Sequence, residues 1–99
     1  MNKFLTELKI SFPNFETEWN IYELPYLFIG DFVCYIINNK EYVNLEKLDL
    51  ILNYFLEAEL VGKNIENIVL VGFLEVLHDD LNLYNQLKLI ATSKLKRII

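Results

Sequence analysis

Apolar residues recur at helical spacing along the chain, and one stretch is apolar on nearly every side of a helix. This stretch, NIENIVLVGFLEVLH, runs from Asn64 to His78 and is interrupted by Glu66, Asn67 and Glu75. A helix of this composition belongs in the middle of a bundle, where neighbours contact several of its faces. Its β-branched residues would also suit a buried strand, but Asn64 is a good N-cap and the run is longer than most strands. We therefore predict a central helix that is too short to span a membrane, with Asn67, Val71, Glu75 and His78 along one strip of its surface.

Four further helices are predicted around the central one, at about Asn2 to Ser11, Tyr26 to Asn38, Asn44 to Val61 and Leu81 to Ile98. Asn44 is predicted to cap the third of these helices, with Gly62 at its C′ position, and the last helix is predicted to place Tyr84 and Ile98 inward. Asn14 to Tyr22 is predicted to form a short amphipathic helix or a turn. With three Gly and two Pro, the chain has few residues for the tight turns of an all-β fold. The prediction is an all-α fold, a single domain over residues 1–99 with about five helices around residues 64–78.

Several individual positions carry structural expectations. Gly72 costs about 1 kcal/mol relative to Ala inside a helix, which predicts close approach of a crossing helix. Cys34 lies in an apolar run and is predicted to be a small buried side chain. Phe15, Trp19 and Tyr22 fall at helical spacing and are predicted to be core residues, although Trp19 would be the largest anchor if this end met a partner.

Charge is unevenly distributed along the chain. The net charge is −5, but the segment from Asn14 to Asp80 holds 13 acids and 3 bases, while the tail from Leu81 carries +4. An acidic body repels nucleic acid and attracts basic partners, and ordinary solubility is the alternative explanation. The basic tail is explained by the dipole of the last helix, so no nucleic-acid partner is predicted.

The residue types needed for catalysis are sparse. There is a single histidine, no CxxC pair and no glycine-rich phosphate loop. Cys34 with His78 is the one conceivable nucleophile–base couple, and both residues have simpler structural explanations. We predict a binding protein rather than an enzyme, without cofactor or metal. The lone cysteine and the absence of a continuous apolar segment in the first ten residues predict a cytoplasmic protein.

Four stretches, in order, carry a resemblance to a known family: SFPNFETEW, LPYLFIGDFVCYI, LEKLDLILNYFLE and NIENIVLVGFLEVL. Together they resemble small all-helical bacterial immunity proteins of polymorphic toxin systems, including contact-dependent inhibition. The resemblance covers about Phe12 to Leu77 and is most specific at Gly30 to Phe32 and Val71 to Glu75. It implies a protein that binds and neutralises one cognate toxin, commonly a nuclease and by preference an RNase.

The partner-binding surface is predicted from the acidic residues, because a nuclease presents a basic phosphate-binding cleft. The first candidate is the outer stripe of the third helix: Glu46, Asp49, Asn53 and Glu57. The second is the edge formed by Glu75, His78, Asp79 and Asp80. The reserve candidate is the segment with Glu16, Glu18, Trp19 and Glu23. Asp31 and Glu75 lie in apolar helices, so buried structural hydrogen bonds to backbone are an equal alternative for them.

A second function class fits the same composition. Large apolar residues are abundant for a chain of this size, and some of them could form a dimer face. The alternative is therefore a structural or adaptor module that acts in a homo-oligomer or a larger assembly.

Overall fold

The computed structural model describes residues 2–58 and 64–99, and within them six helices and no strand. We number the helices α1 (Asn2–Ser11), α2 (Pro25–Asn38), α3 (Leu45–Leu56), α4 (65–77), α5 (Leu81–Ile90) and α6 (Ser93–Ile98), with a short 3₁₀ turn at Lys40–Tyr42. Pro25 occupies the first turn of α2, where its missing N–H costs nothing. Asn44 and Asn64 cap α3 and α4 through their side chains. The all-α prediction is confirmed.

All seven phenylalanines of the chain meet in one connected set of edge-to-face and tilted ring contacts. Phe32 of α2 is at its centre, with the rings of Phe12, Phe15 and Phe73 within 5.1–5.8 Å between centroids. These contacts join α2, α4 and the segment after α1. Phe4 adds α1, because its ring meets those of Phe28 in α2 and Phe55 in α3. Each such pair adds roughly 0.5–1.5 kcal/mol beyond the burial of its area.

Helix α4 is not a uniform α-helix. Its first turn, Ile65–Val69, and its last, Glu75–Leu77, are α-helical, whereas Leu70–Leu74 is π-helical. Gly72 lies in the π segment against α2: a Cβ there would sit 3.4 Å from Ile29 Cγ2 and 3.6 Å from Tyr26 Cδ1. The predicted close approach of a crossing helix is confirmed.

The prediction that neighbours cover α4 on several faces holds on one side only. Ile68, Val69, Phe73 and Leu77 are fully buried against the core. Leu70 and Val71, by contrast, are exposed. The central helix therefore closes the core with one face and presents apolar side chains to solvent with another.

The structure decides one open alternative and corrects the predicted extent of two helices. The segment between α1 and α2 contains no helix, so the turn was the correct alternative for residues 14–22. Helix α3 ends at Leu56, because Glu57 and Ala58 leave the helix; its predicted continuation to Val61 and the cap at Gly62 lie outside the described residues. The predicted last helix is broken at Ala91 and Thr92 into α5 and α6.

The predicted burial of Cys34 is wrong, since its side chain is exposed. Helix α2 buries a stripe that includes Ile29, Phe32 and Val33. Cys34 lies one residue, or about 100°, beyond this stripe and shares a face with the exposed Leu27 and Asn38. The apolar run around Cys34 is continuous in sequence, but only one side of it faces the core.

The aromatic residues after α1 are placed mostly as predicted. Phe15 and Trp19 are half-buried and pack against the core. Tyr22 is exposed, and the neighbouring Ile21 is buried instead. The difference follows from the absence of a helix there, because a turn does not keep residues three and four apart on one side.

The two helical glycines are expected to respond differently to substitution. Nothing lies within 4 Å of a Cβ at Gly30, so Gly30→Ala should raise the free energy of unfolding by about 0.5–1 kcal/mol through helix propensity. Gly72→Ala is expected to be near neutral, and Gly72→Leu to destabilise by about 1–3 kcal/mol because the added atoms overlap Ile29 and Tyr26. Urea denaturation of the three variants measures this; a stable Gly72→Leu protein would contradict the close contact.

Candidate protein-binding surface

The structure divides the predicted acidic residues into exposed side chains and side chains used by the fold. Most remain exposed: Glu16, Glu18, Glu23, Glu46, Glu57, Glu75 and Asp79, together with His78. Asp49 and Asn53 are buried, and Asp80 is half-buried. Only the exposed group is therefore free to contact a partner.

The outer-stripe prediction is wrong for Asp49 and Asn53, each only 6% exposed. The N–H and hydroxyl of Thr92 donate to the two carboxylate oxygens of Asp49, at 3.0 and 2.7 Å. Asn53 donates to the Asp49 carboxylate and to the Thr92 carbonyl, and it accepts from the Leu95 N–H at 2.9 Å. Every polar group of the pair is thereby used inside the protein.

The break between α5 and α6 explains this burial. A helix start leaves backbone N–H groups without partners, and Thr92 gives α6 no side-chain cap of its own. Asp49 and Asn53 supply the acceptors from α3 and so act as the cap of a different helix. Ser93 has φ 52°, in the left-handed region that a non-glycine residue rarely adopts, and these contacts hold it there.

Asp80 is also part of the fold. Its carboxylate accepts from the Leu83 N–H at 3.1 Å, which caps α5, and from Lys40 Nζ at 2.9 Å. The hydrogen bond from Lys40, followed by that from Leu83, holds the pKa of Asp80 below its ordinary value. The same pairing raises the pKa of Lys40. Asp80 thus ties the turn before α3 to the start of α5.

Glu75 and His78, two further members of the second candidate group, border a groove beside α4. The predicted strip of Asn67, Val71, Glu75 and His78 does lie along one side of the helix, and all four side chains are exposed. These residues line a groove of about 320 Å³. Its other lining residues are apolar: Leu70, Leu74, Tyr84 and Ile98. We call this feature the α4 groove.

The far wall of the groove is held in place by two contacts. The ring of Tyr84 meets the ring of His78 edge-on, with 4.0 Å between centroids. The Tyr84 hydroxyl donates to the backbone carbonyl of Ile99 at 2.7 Å, which fixes the end of the chain beside α5. The groove is therefore built by α4, α5 and the end of α6 together.

The reserve segment borders a larger cavity of about 630 Å³ against α1. Its walls include Leu5, Leu8 and Phe15, and Lys9 and Glu16 place both charge signs on the lining. The described segment is anchored to α2 because Thr17 donates to Asp31 at 2.6 Å.

The hydrogen bond between Thr17 and Asp31 also bears on the alternative that Asp31 and Glu75 make structural hydrogen bonds. Asp31 does make a structural hydrogen bond, but to the Thr17 side chain rather than to backbone. Glu75 is exposed and has no hydrogen bond or ion pair to another described residue, so the structural alternative is wrong for it.

Comparisons of the chain with protein-family models, with curated proteins and with solved structures find no match. Within residues 2–58 and 64–99, no three His, Cys, Asp or Glu side chains come together as metal ligands would. None of the helices in these ranges has both the length and the apolar character needed to cross a bilayer. Function is therefore inferred from the chemistry of the surface.

Sequence reasoning found the α4 strip but missed the walls opposite it. Tyr84 and Ile98 were predicted to face inward on one continuous helix, whereas the break at Thr92 brings Ile98 back beside α4. The adjacent Thr92 and Ser93, both residue types common at helix starts, are the signal that could have placed the break.

Removing the Asp49 carboxylate is expected to destabilise the fold strongly. Asp49→Ala leaves the Thr92 N–H and hydroxyl without their acceptors, which should cost about 2–4 kcal/mol of unfolding free energy. The control is Glu57→Gln, an exposed acid near the end of α3, expected to change stability by less than about 0.5 kcal/mol. Urea denaturation compares the two; equal effects would contradict the network.

The Lys40–Asp80 pair predicts a pH-dependent contribution to stability. Asp80→Asn keeps a good N-cap but removes the ion pair. Because the pKa of Asp80 is lowered by folding, its contribution is present at neutral pH and is lost as the pH falls below about 4. The urea midpoint of Asp80→Asn should therefore lie below that of the parent at pH 7, and the difference should shrink as the pH is lowered through the folded-state pKa of Asp80. Asp79→Asn, the same change at an exposed neighbour, should leave the midpoint at pH 7 unchanged.

Proposed function

We propose that this chain is an immunity protein that binds a basic toxin domain in the cytoplasm and blocks it. The favoured toxin is a nuclease that cleaves RNA. The observation that carries the proposal is the exposed acidic surface. Among the described residues between 14 and 80, nine acids are exposed: Glu16, Glu18, Glu23, Glu41, Glu46, Glu57, Glu66, Glu75 and Asp79.

Few cations offset this surface. Of the three lysines in the same range, Lys40 is already paired with Asp80, Lys47 is exposed, and Lys63 lies outside the described residues. A surface with so many free carboxylates repels a phosphate backbone, which argues against a nucleic-acid partner. It attracts a cleft that is built to hold phosphates, and it speeds encounter with that cleft by long-range steering.

The fold adds a second line of support. The resemblance to small helical immunity proteins rests on four stretches that contribute α2, α3, α4 and the anchored segment before α2. In this proposal, the phenylalanine core holds in place the helices that carry the acidic side chains, which limits the backbone entropy lost when the partner binds. Blocking requires no chemistry from the chain itself, in keeping with its sparse catalytic residues.

The second candidate function is a structural module of a homo-oligomer. It is favoured by exposed apolar side chains around the start of α2, namely Tyr22, Leu24, Tyr26 and Leu27. Such a patch is a common feature of protein interfaces. An oligomer built on it would be insensitive to salt, whereas a charge-steered complex would not.

The two candidate functions are distinguished by isolating the binding partners of the chain from its native host. The tagged chain is used as bait at low salt and again at about 0.5 M salt, where the Debye length is only a few Å. We expect one basic protein or toxin fragment, with slower association at high salt, and we expect co-expression of the chain to abolish the toxicity of that fragment. Recovery of the chain alone, as a salt-resistant oligomer, would overturn the immunity function.

Charge reversal then tests the surface itself. Glu57→Lys combined with Glu75→Lys should slow association with the captured partner by at least about tenfold at low salt. Asp49 is excluded from this test because its removal damages the fold. Leu89→Ser, an exposed uncharged position on α5, is the control and should leave the association rate unchanged.

A further inference from the structure

We propose that the α4 groove is the place where the partner docks, and that it receives an amphipathic segment carrying apolar side chains beside Lys or Arg. This assignment rests on the proposed function and specifies the site and the chemistry of the contact.

One edge of the groove includes the π-helical part of α4, Leu70–Leu74. Val71 of this part and Glu75, four residues later, both line the groove, and both side chains are exposed. An apolar and an acidic side chain therefore follow each other along this edge. Single π-helical turns are rare and occur frequently at functional sites.

The exposed apolar side chains on this edge are unusual for the helix that closes the core. Leu70 is 36% exposed and Val71 is 42% exposed, although Val69 and Phe73 beside them are fully buried. Leu74 and Ile98 continue the apolar lining into the groove. A partner's apolar residue that covers these side chains would remove from water an apolar surface that stays exposed in the folded protein.

Aromatic side chains border the same region. Tyr26 of α2 is 42% exposed, and its hydroxyl accepts a hydrogen bond from Asn67 Nδ2 at 2.6 Å, at one end of the groove. Tyr84 forms part of the opposite wall. Tyrosine is enriched among the residues that contribute most to protein–protein affinity. Both rings are already held by hydrogen bonds, so little rotamer entropy is lost when they are covered.

The acidic residues on and near the α4 groove determine which kind of partner segment it binds. Glu75 lies on the groove, and Glu66 and Asp79 are exposed near the two ends of the same helix. None of the three has an ion-pair partner among the described residues. A segment that brings Lys or Arg beside an apolar anchor would pair with them, whereas an acidic or purely apolar segment would not. The larger cavity beside α1 lacks this selectivity, because Lys9 and Glu16 line it with opposite signs.

The test uses defined peptides rather than an unknown ligand. A fluorescein-labelled helical peptide of leucine and lysine is titrated with the intact chain and followed by anisotropy. Two matched peptides replace every lysine by glutamate or every leucine by serine. We expect the leucine–lysine peptide to bind at least about tenfold more tightly than either of the others.

Variants then locate the binding site. Val71→Ser and Glu75→Lys should each raise the Kd of the leucine–lysine peptide by about tenfold. Leu89→Ser and Gln86→Lys, both on α5, are the controls and should change it less than about twofold. All four positions are exposed, and thermal melts of the variants verify that the fold is retained. Equal effects of groove and control variants, or no preference for the basic peptide, would overturn the proposal.

Failure of this inference and failure of the proposed function are distinguishable. If a basic toxin is captured and neutralised equally well by Val71→Ser and Glu75→Lys, the immunity function stands and the groove assignment falls. If the peptide binds in the groove but no basic partner is captured, the docking site stands and the immunity function falls. A dimer that dissociates on Val71→Ser would identify a second copy as the occupant and overturn the proposal.

Discussion

The structure depends on the contact of Phe32 with phenylalanines from two other parts of the chain. Phe12 and Phe15 of the segment after α1 and Phe73 of α4 meet its ring, so that segment and α4 are both positioned by one residue of α2. Edge-to-face contacts have a preferred geometry, which makes the arrangement of the helices specific as well as stable. The segment between α1 and α2 has no helix of its own and is positioned chiefly by this contact and by the hydrogen bond between Thr17 and Asp31.

A second constraint completes the fold where the aromatic core does not reach. Helix α6 is short and begins without its own cap, so its start is held by Asp49 and Asn53 of α3. Burying an acid is costly unless all of its oxygens accept hydrogen bonds, and here both do. Net charge alone is therefore a poor guide to a binding surface. Polar residues at the same helical spacing on α3 are buried in one case, as at Asp49, and exposed in another, as at Glu46.

The sequence was informative where local physics decides the outcome. Helical periodicity gave α1, α2 and α4 nearly to the residue, and the caps at Asn44 and Asn64 were readable because they are local signals. The strip on α4 was also predicted. Errors occurred where a distant segment decides, as at Asp49, whose surroundings depend on a helix break 43 residues later. The prediction that Cys34 is buried was wrong because a run of apolar residues does not indicate which side of its helix packs against the core.

The exposed acids and the α4 groove have different physical roles in binding. Charges spread over the body act over a Debye length and raise the rate of encounter, but in water each adds little to the stability of the complex. Apolar side chains such as Val71 act only on contact, yet they can dominate affinity once water is excluded. A partner with a basic surface and an amphipathic segment would use both. Specificity for one partner would then lie in the groove, where Glu75 adjoins Val71, while the remaining acids could be exchanged among themselves with little effect on recognition.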